Sequence, residues 1–168
     1  NSKKNLAGIP GCAIECGGYA SGAQIDKSSI EFDYGINLNG KFGLTITGAD
    51  TLKNVLLMAD GKAISVLVPG DREVDLKRVE ANLAGVNEIR IFEEEDFKKF
   101  PKLVKGYIGP QDAKANGITL LADPRVAPGT AWVSGANKKD CHARNVVSGR
   151  DFIVDGYIEA AEVRAGDS

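Results

Sequence analysis

The sequence predicts an α+β domain built on a mixed, strongly curved β-sheet with a few short helices. Three observations predict it. Twenty glycines cut the chain into short segments. Most of those segments are β-branched or apolar runs, bounded by turn residues, that suit strands. Only two or three stretches are helical in character, two of them with clear start and stop signals.

The elements follow in order. Residues 30–33 and 41–47 read as strands around Asn39-Gly40, a hairpin dipeptide. Residues 55–59 and 63–68 are apolar runs joined by Asp60-Gly61, the clearest hairpin signal in the chain, and Pro69-Gly70-Asp71 ends the second of them. Asp75 caps a helix in which Leu76, Val79 and Leu83 fall at helical spacing, and Gly85 stops it. Residues 88–92 form a short strand. Residues 93–100 read as a second helix with acids in its first turn and lysines in its last, which complements the helix dipole. Glu94/Lys98 and Glu95/Lys99 are spaced to pair four apart, and Pro101 closes the helix. Residues 118–122, 131–134, 143–147 and 157–163 read as further strands. Residues 1–48 are richer in Gly, Ser and Asn and poorer in long apolar runs. They are expected to be a β-rich N-terminal segment, either appended or part of the same domain, with the domain proper at 49–168.

Length and charge bound the function. The 168 residues suffice for one well-cored domain, and no apolar run approaches the ~20 residues of a membrane-spanning helix. Residues 1–11 lack the continuous apolar core of a signal peptide, so no secretory leader is expected there, and a first residue of Asn suggests a processed product or an excised piece. A cytoplasmic placement without membrane contact is expected. The net charge of −2 argues against a general DNA or RNA binder, because phosphate neutralisation supplies most non-specific affinity. It leaves room for an enzyme that touches only the end of a nucleic acid. Three cysteines form no disulfide framework, which fits a reducing compartment.

The chemical constellations can be weighed one by one. His142, the one histidine, follows Cys141 directly, and strand neighbours point to opposite faces, so this pair does not share a proton. Cys12, Cys16, Cys141 and His142 supply a zinc-like donor set, but the spacing fits loosely and no metal is expected. No phosphate-cradling glycine loop occurs, and no cofactor is expected. One loop remains. Lys105-Gly106-Tyr107-Ile108-Gly109-Pro110 sets two glycines and a proline around two large apolar residues. Such a turn either presents backbone N–H groups to a carbonyl or oxyanion, or is a plain turn leaving a helix.

That loop belongs to an ordered set. Thr51-Leu52-Lys53, Val68-Pro69-Gly70-Asp71, Gly106-Tyr107-Ile108-Gly109-Pro110, Ala122-Asp123-Pro124-Arg125-Val126, Gly135-Ala136-Asn137, His142, Gly149-Arg150-Asp151-Phe152 and Val163-Arg164-Ala165-Gly166-Asp167 succeed one another. In that order the chain resembles the insertion (editing) domain of bacterial prolyl-tRNA synthetase, whose fold is shared with free-standing deacylases of the YbaK type. The resemblance covers about 49–167. Residues 1–48 match no family segment, and Lys138-Lys139-Asp140-Cys141 lacks the turn glycine of the pattern.

The resemblance implies an aminoacyl-tRNA deacylase that hydrolyses alanyl-tRNA for proline, in cis or in trans, with a positioned water, no metal and no cofactor. Lys53 is then expected to approach the terminal ribose–phosphate. Gly106, Gly109 and Pro110 shape the loop that wraps the amino acid and offers backbone donors. Tyr107, Ile108, Asp123, Gly135, Ala136, Asn137 and His142 line the pocket, with His142 limiting its size. The implied partners are the acceptor end of the tRNA and the remainder of a prolyl-tRNA synthetase. A non-catalytic module that binds a tRNA end or a protein is the alternative.

Overall fold

The computed structural model describes residues 4–5, 13–16, 29–33, 43–139 and 141–167, with side chains for 48–139 and 141–167. In the first part of the chain, β1 (Lys4–Asn5) pairs antiparallel with β2 (Ala13–Cys16). Likewise β3 (Ser29–Asp33) pairs with β4 (Gly43–Thr47), Asp33 standing opposite Gly43. The expected Asn39-Gly40 turn between them lies outside the described residues. A 3₁₀ turn at Gly48–Asp50 then leads into the body of the fold.

That body is organised by the Asp60-Gly61 turn. Both residues take positive φ, 46° and 77°, the combination that lets a two-residue turn match the twist of its strands. They join β5 (Leu52–Ala59) to β6 (Lys62–Pro69) in an unbroken antiparallel ladder from Ala59↔Lys62 to Leu52↔Pro69. Both strands are apolar on both faces, which predicts burial on both sides. Leu52, Leu56, Met58 and Leu67 enter one core, while Leu57, Ile64, Val66 and Val68 enter the other.

The second core is covered by α1 (Leu76–Asn82), where Asp75 accepts the N–H groups of Lys77 and Arg78 as the sequence led us to expect, and Val79 is fully buried. Next, β7 (Ile89–Ile91) adds antiparallel to β5. In α2 (Glu94–Lys98) the charge pairing departs from expectation. Lys98 pairs with Glu95 and Lys99 with Asp96, three apart, whereas Glu94 reaches Lys105. Glu94 and Glu95 are engaged by Lys105 and Lys98 instead of their four-apart partners, and Arg90 pairs with the buried Asp96.

A third helix, α3 (Pro110–Ala115), was not anticipated from the sequence; the glycine–proline turn does not leave a helix but enters one. Pro110 takes the first helical position, where a missing N–H costs nothing. Beyond it come β8 (Thr119–Ala122), β9 (Ala131–Gly135), β10 (Cys141–Val147) and β11 (Gly156–Tyr157). The strand expected at 157–163 stops after Tyr157, because the N–H groups of Ala160 and Ala161 are taken by the Asp123 carboxylate instead of a neighbouring strand.

One sheet runs β11-β8-β6-β5-β7, with β8 parallel to both β6 and β11, and another runs β1-β2-β10-β9. The mixed sheet and few helices are those of an α+β fold. Trp132, Ala143 and Val146 of β9 and β10 pack into the Leu56 core together with Phe92 and Phe152. Among the described residues no helix is long and apolar enough to cross a membrane.

The cysteine reading needs correction. Cys141 is disulfide-bonded, not a free thiol, and is therefore not available as a zinc thiolate. In the β2–β10 ladder it stands opposite Cys16, and the ~4.5–5.5 Å Cα spacing of an antiparallel pair is within disulfide reach.

Candidate functional site

The site grows from a packing constraint between two backbones. Gly135, at the end of β9, lies against the Tyr107 peptide so closely that an added Cβ would sit 2.2 Å from the Tyr107 carbonyl oxygen. Gly109 is confined in the same way: a Cβ there would sit 2.5 Å from the Gly135 carbonyl oxygen. Both glycines are needed because the loop and the strand touch through main chain.

Asn137 locks this contact. It takes a positive φ of 54°, which Asn tolerates better than most residues. Its N–H donates to the Tyr107 carbonyl at 2.6 Å. Its side-chain amide accepts from the Val104 N–H at 2.7 Å and donates to the Lys102 carbonyl at 2.8 Å. The side chain is thus spent on the turn that precedes the loop, so Asn137 shapes the site from behind.

The Tyr107 ring meets the His142 ring edge-on, with centroids 5.8 Å apart. His142 stands opposite Gly135 in the β9–β10 ladder, which brings loop, strand end and imidazole together. Ala136 closes the β9–β10 turn, its N–H donating to the Cys141 carbonyl. Gly106, Tyr107, Ile108, Gly109, Pro110, Gly135, Ala136, Asn137 and His142 therefore lie together.

The loop's donors are distributed unevenly. The Tyr107 N–H bonds back to Val104, and the Gly109 N–H is taken by the Asp112 carboxylate at 2.8 Å. Pro110 has none. The N–H groups of Gly106 and Ile108 have no acceptor among the described residues. The 107–108 peptide is trans, so with its carbonyl turned to Asn137 its N–H points the opposite way. Burial pushes the Asp112 carboxyl up to about 6, although the Gly109 N–H pulls it down.

Lys53 and Asp123 fall elsewhere. Strand neighbours face opposite sides. Asn54 turns toward the loop, donating to the Ile108 carbonyl at 3.4 Å. Lys53 turns the other way, its Nζ donating to the Arg72 carbonyl and to Glu73 at 2.8 Å each. Asp123 is almost fully buried. Burial alone would raise its carboxyl, but the N–H groups of Ala161, Arg125 and Ala160 and the Arg125 guanidinium hold it below the usual range. Its oxygens are directed into the fold, tying the end of β8 to 160–161. Arg125 and Arg72 meet at Asp167, so Asp123 and the Lys53 neighbourhood are linked through one ionic chain on the far side of the sheet.

Asn54, Ser65 and Asp112 were missed by sequence reasoning. An Asn directly before the apolar 55–59 run was the available signal for the first. An acid two residues after Pro110, at a helix's third position, was the signal for Asp112. No group of three metal-ligating side chains occurs among the described residues.

Comparison with known proteins places this arrangement. The aminoacyl-tRNA editing domain family matches residues 42–152. The proline–tRNA ligase of Streptomyces coelicolor is 52% identical over 124 residues, covering 74% of this chain and 22% of that protein. The proline–tRNA ligase of Corynebacterium urealyticum is 50% identical over 142 residues, covering 74% of this chain and 24% of that protein. The chain thus spans about a quarter or less of the curated relatives it matches. The solved structure of the hypothetical protein APE2540 shares the fold at a TM-score of 0.56 and 16% identity, covering 70% of this chain and 77% of that one. By the match across most of its length, the chain belongs to the aminoacyl-tRNA editing domain family.

Proposed function

We propose that this chain hydrolyses the ester of alanyl-tRNA for proline, in cis within a prolyl-tRNA synthetase or in trans, in the cytoplasm. The observation that carries the reading is the Ile108 N–H, presented beside the Tyr107–His142 pair without an acceptor among the described residues. Aminoacyl-tRNA is an activated ester, so a placed water and a donor aimed at the developing oxyanion suffice; one such donor contributes about 3 kcal/mol to the barrier. The Ile108 N–H, helped by that of Gly106, is the donor in this reading, and Tyr107 and His142 form the wall that admits a methyl side chain and excludes larger ones. Lys53 binds the tRNA terminus as a point charge from the other face of β5, and Asp123 supports the site through the fold. Residues 49–168 make up the editing domain, and the N-terminal segment joins it through β2.

The reading is tested by incubating the chain with tRNA for proline charged with alanine, proline and larger amino acids. Release of alanine with proline spared is expected. Hydrolysis of none of them would overturn it.

One observation favours a binding module that does not turn over. The Lys53 amine is already held by Glu73 and the Arg72 carbonyl, so tRNA must compete for it. Stable tRNA binding without ester hydrolysis would support that second reading.

A further inference from the structure

The Ile108–Gly109 peptide is held at both of its ends, by two side chains from different elements. Its carbonyl accepts from Asn54 Nδ2 on β5, and its N–H donates to Asp112 Oδ2 on α3. The Ile108 carbonyl can only accept, so Nδ2 of the Asn54 amide faces it, and Oδ1 is left to accept from the hydroxyl of the fully buried Ser65. We propose that Asn54 and Asp112 are positioning residues that clamp this peptide and thereby fix the direction in which the Ile108 N–H is presented. The inference rests on the deacylase reading for its consequence, though not for its geometry.

The need for a clamp follows from the packing. Position 109 has to be glycine, because any Cβ would strike the Gly135 carbonyl and the Gln111 amide. Glycine, however, populates both signs of φ readily. At 109 it holds φ −93°, and a flip of the 108–109 peptide would carry it into the positive region at little intrinsic cost. Such a flip changes ψ of Ile108 and tilts the neighbouring 107–108 peptide, whose N–H is the donor. Two hydrogen bonds, one to each end, oppose it. A bond to an ionised acceptor is the stronger kind, which gives a reason for a carboxylate at 112 despite its burial. Burial and the Gly109 N–H are the two influences on that carboxyl. Lys114, on the same helix, is engaged with Asp155, and Lys105, before the loop, with Glu94. His142, across Tyr107, is the other group of the site whose class titrates near neutrality.

The test uses the 168-residue chain and the variants Asp112→Ala, Asp112→Asn and Asn54→Ala. In alanyl-tRNA deacylation, Asp112→Ala and Asn54→Ala are expected to lower kcat about tenfold or more with KM changed less than about twofold, since misplacement acts on the reacting geometry. Asp112→Asn, which keeps an acceptor oxygen, recovers most of kcat and loses whatever part of the acid limb of the pH profile belongs to Asp112. His142 is present in both wild type and Asp112→Asn, so the comparison isolates the change made at 112. Independently of activity, the Gly109 amide resonance is expected to move as pH passes about 6 in the wild type and to stay put in Asp112→Asn. Unchanged kcat in folded Asp112→Ala and Asn54→Ala overturns the positioning role. A Gly109 amide insensitive to pH overturns the clamp itself. If the wild type hydrolyses no charged tRNA, the deacylase reading falls, and the amide titration alone decides the clamp.

Discussion

Tyr107 and His142 meet edge-to-face at 5.8 Å although they are thirty-five positions apart, one on a loop and one on β10. An aromatic pair of this kind contributes about 0.5–1.5 kcal/mol beyond its burial, enough to hold a wall in place. His142→Ala removes half of that wall. We expect deacylation of alanyl-tRNA to persist while discrimination against larger acyl groups falls about tenfold, the scale of a methylene-sized change in a pocket. Rates on a panel of charged tRNAs check this; undiminished preference for alanine would remove His142 from the size limit.

Gly135 tests the main-chain contact. A Cβ there would meet the Tyr107 carbonyl at 2.2 Å, with no flexible side chain to give way. Gly135→Ala is expected to cost on the order of 3 kcal/mol or to displace the loop. Gly61→Ala, at a positive φ with open space around it, should cost only the ~1–2 kcal/mol of backbone strain. Urea midpoints compare the two. Equal losses would mean that the contact at Gly135 yields easily.

The contrast explains what could be read from the sequence. The Asp60-Gly61 hairpin and the Asp75 cap were legible because each is decided by two or three adjacent residues. The loop, Gly135 to Asn137 and His142 were legible as one ordered set, but only through resemblance. Nothing local tells that Gly109 needs Gly135, since the reason is a contact across 26 positions. Helix α3 was hidden because it buries only Pro110 and Ala113, too little for a helical apolar period to show. Lys53 and Asp123 are near the site along the chain's pattern yet face the other side of the sheet. That depended on which parity of β5 carried the loop, and with both faces apolar the pattern is silent. The parallel pairing of β8 with β6 likewise leaves no mark in a single sequence.

Lys53 and Glu73 form an exposed pair, Glu73 being 74% accessible, and such pairs contribute about 0–1 kcal/mol. Lys53→Ala should therefore leave the unfolding midpoint nearly unchanged while weakening tRNA binding. Glu73→Gln frees the amine and should tighten tRNA binding a few-fold at low salt, with the gain disappearing at high salt. Filter binding across a salt series separates these effects. Wild-type tRNA affinity and wild-type turnover in Lys53→Ala together would remove this lysine from the functional site.

Asp112 gives stability a pH dependence whose sign can be worked out. Its carboxyl is pushed up to about 6 in the folded chain, against 3.8 ordinarily, chiefly by burial. The protonated form is thus favoured by folding. The stability it contributes is fully present below about pH 4 and is lost as pH rises through 6. Asp112→Asn cannot ionise, so its stability relative to the wild type should rise between pH 4 and pH 7. Because the carboxyl is partly open to solvent, the change is on the order of 1 kcal/mol. Urea unfolding of both proteins at pH 4, 5, 6 and 7 supplies the difference, and groups common to both cancel. A difference that stays flat or falls with rising pH would show that Asp112 is not held up by burial. The wild type then bears a cost at neutral pH that the amide avoids, and the stronger hydrogen bond from Gly109 to a charged acceptor is what that cost maintains.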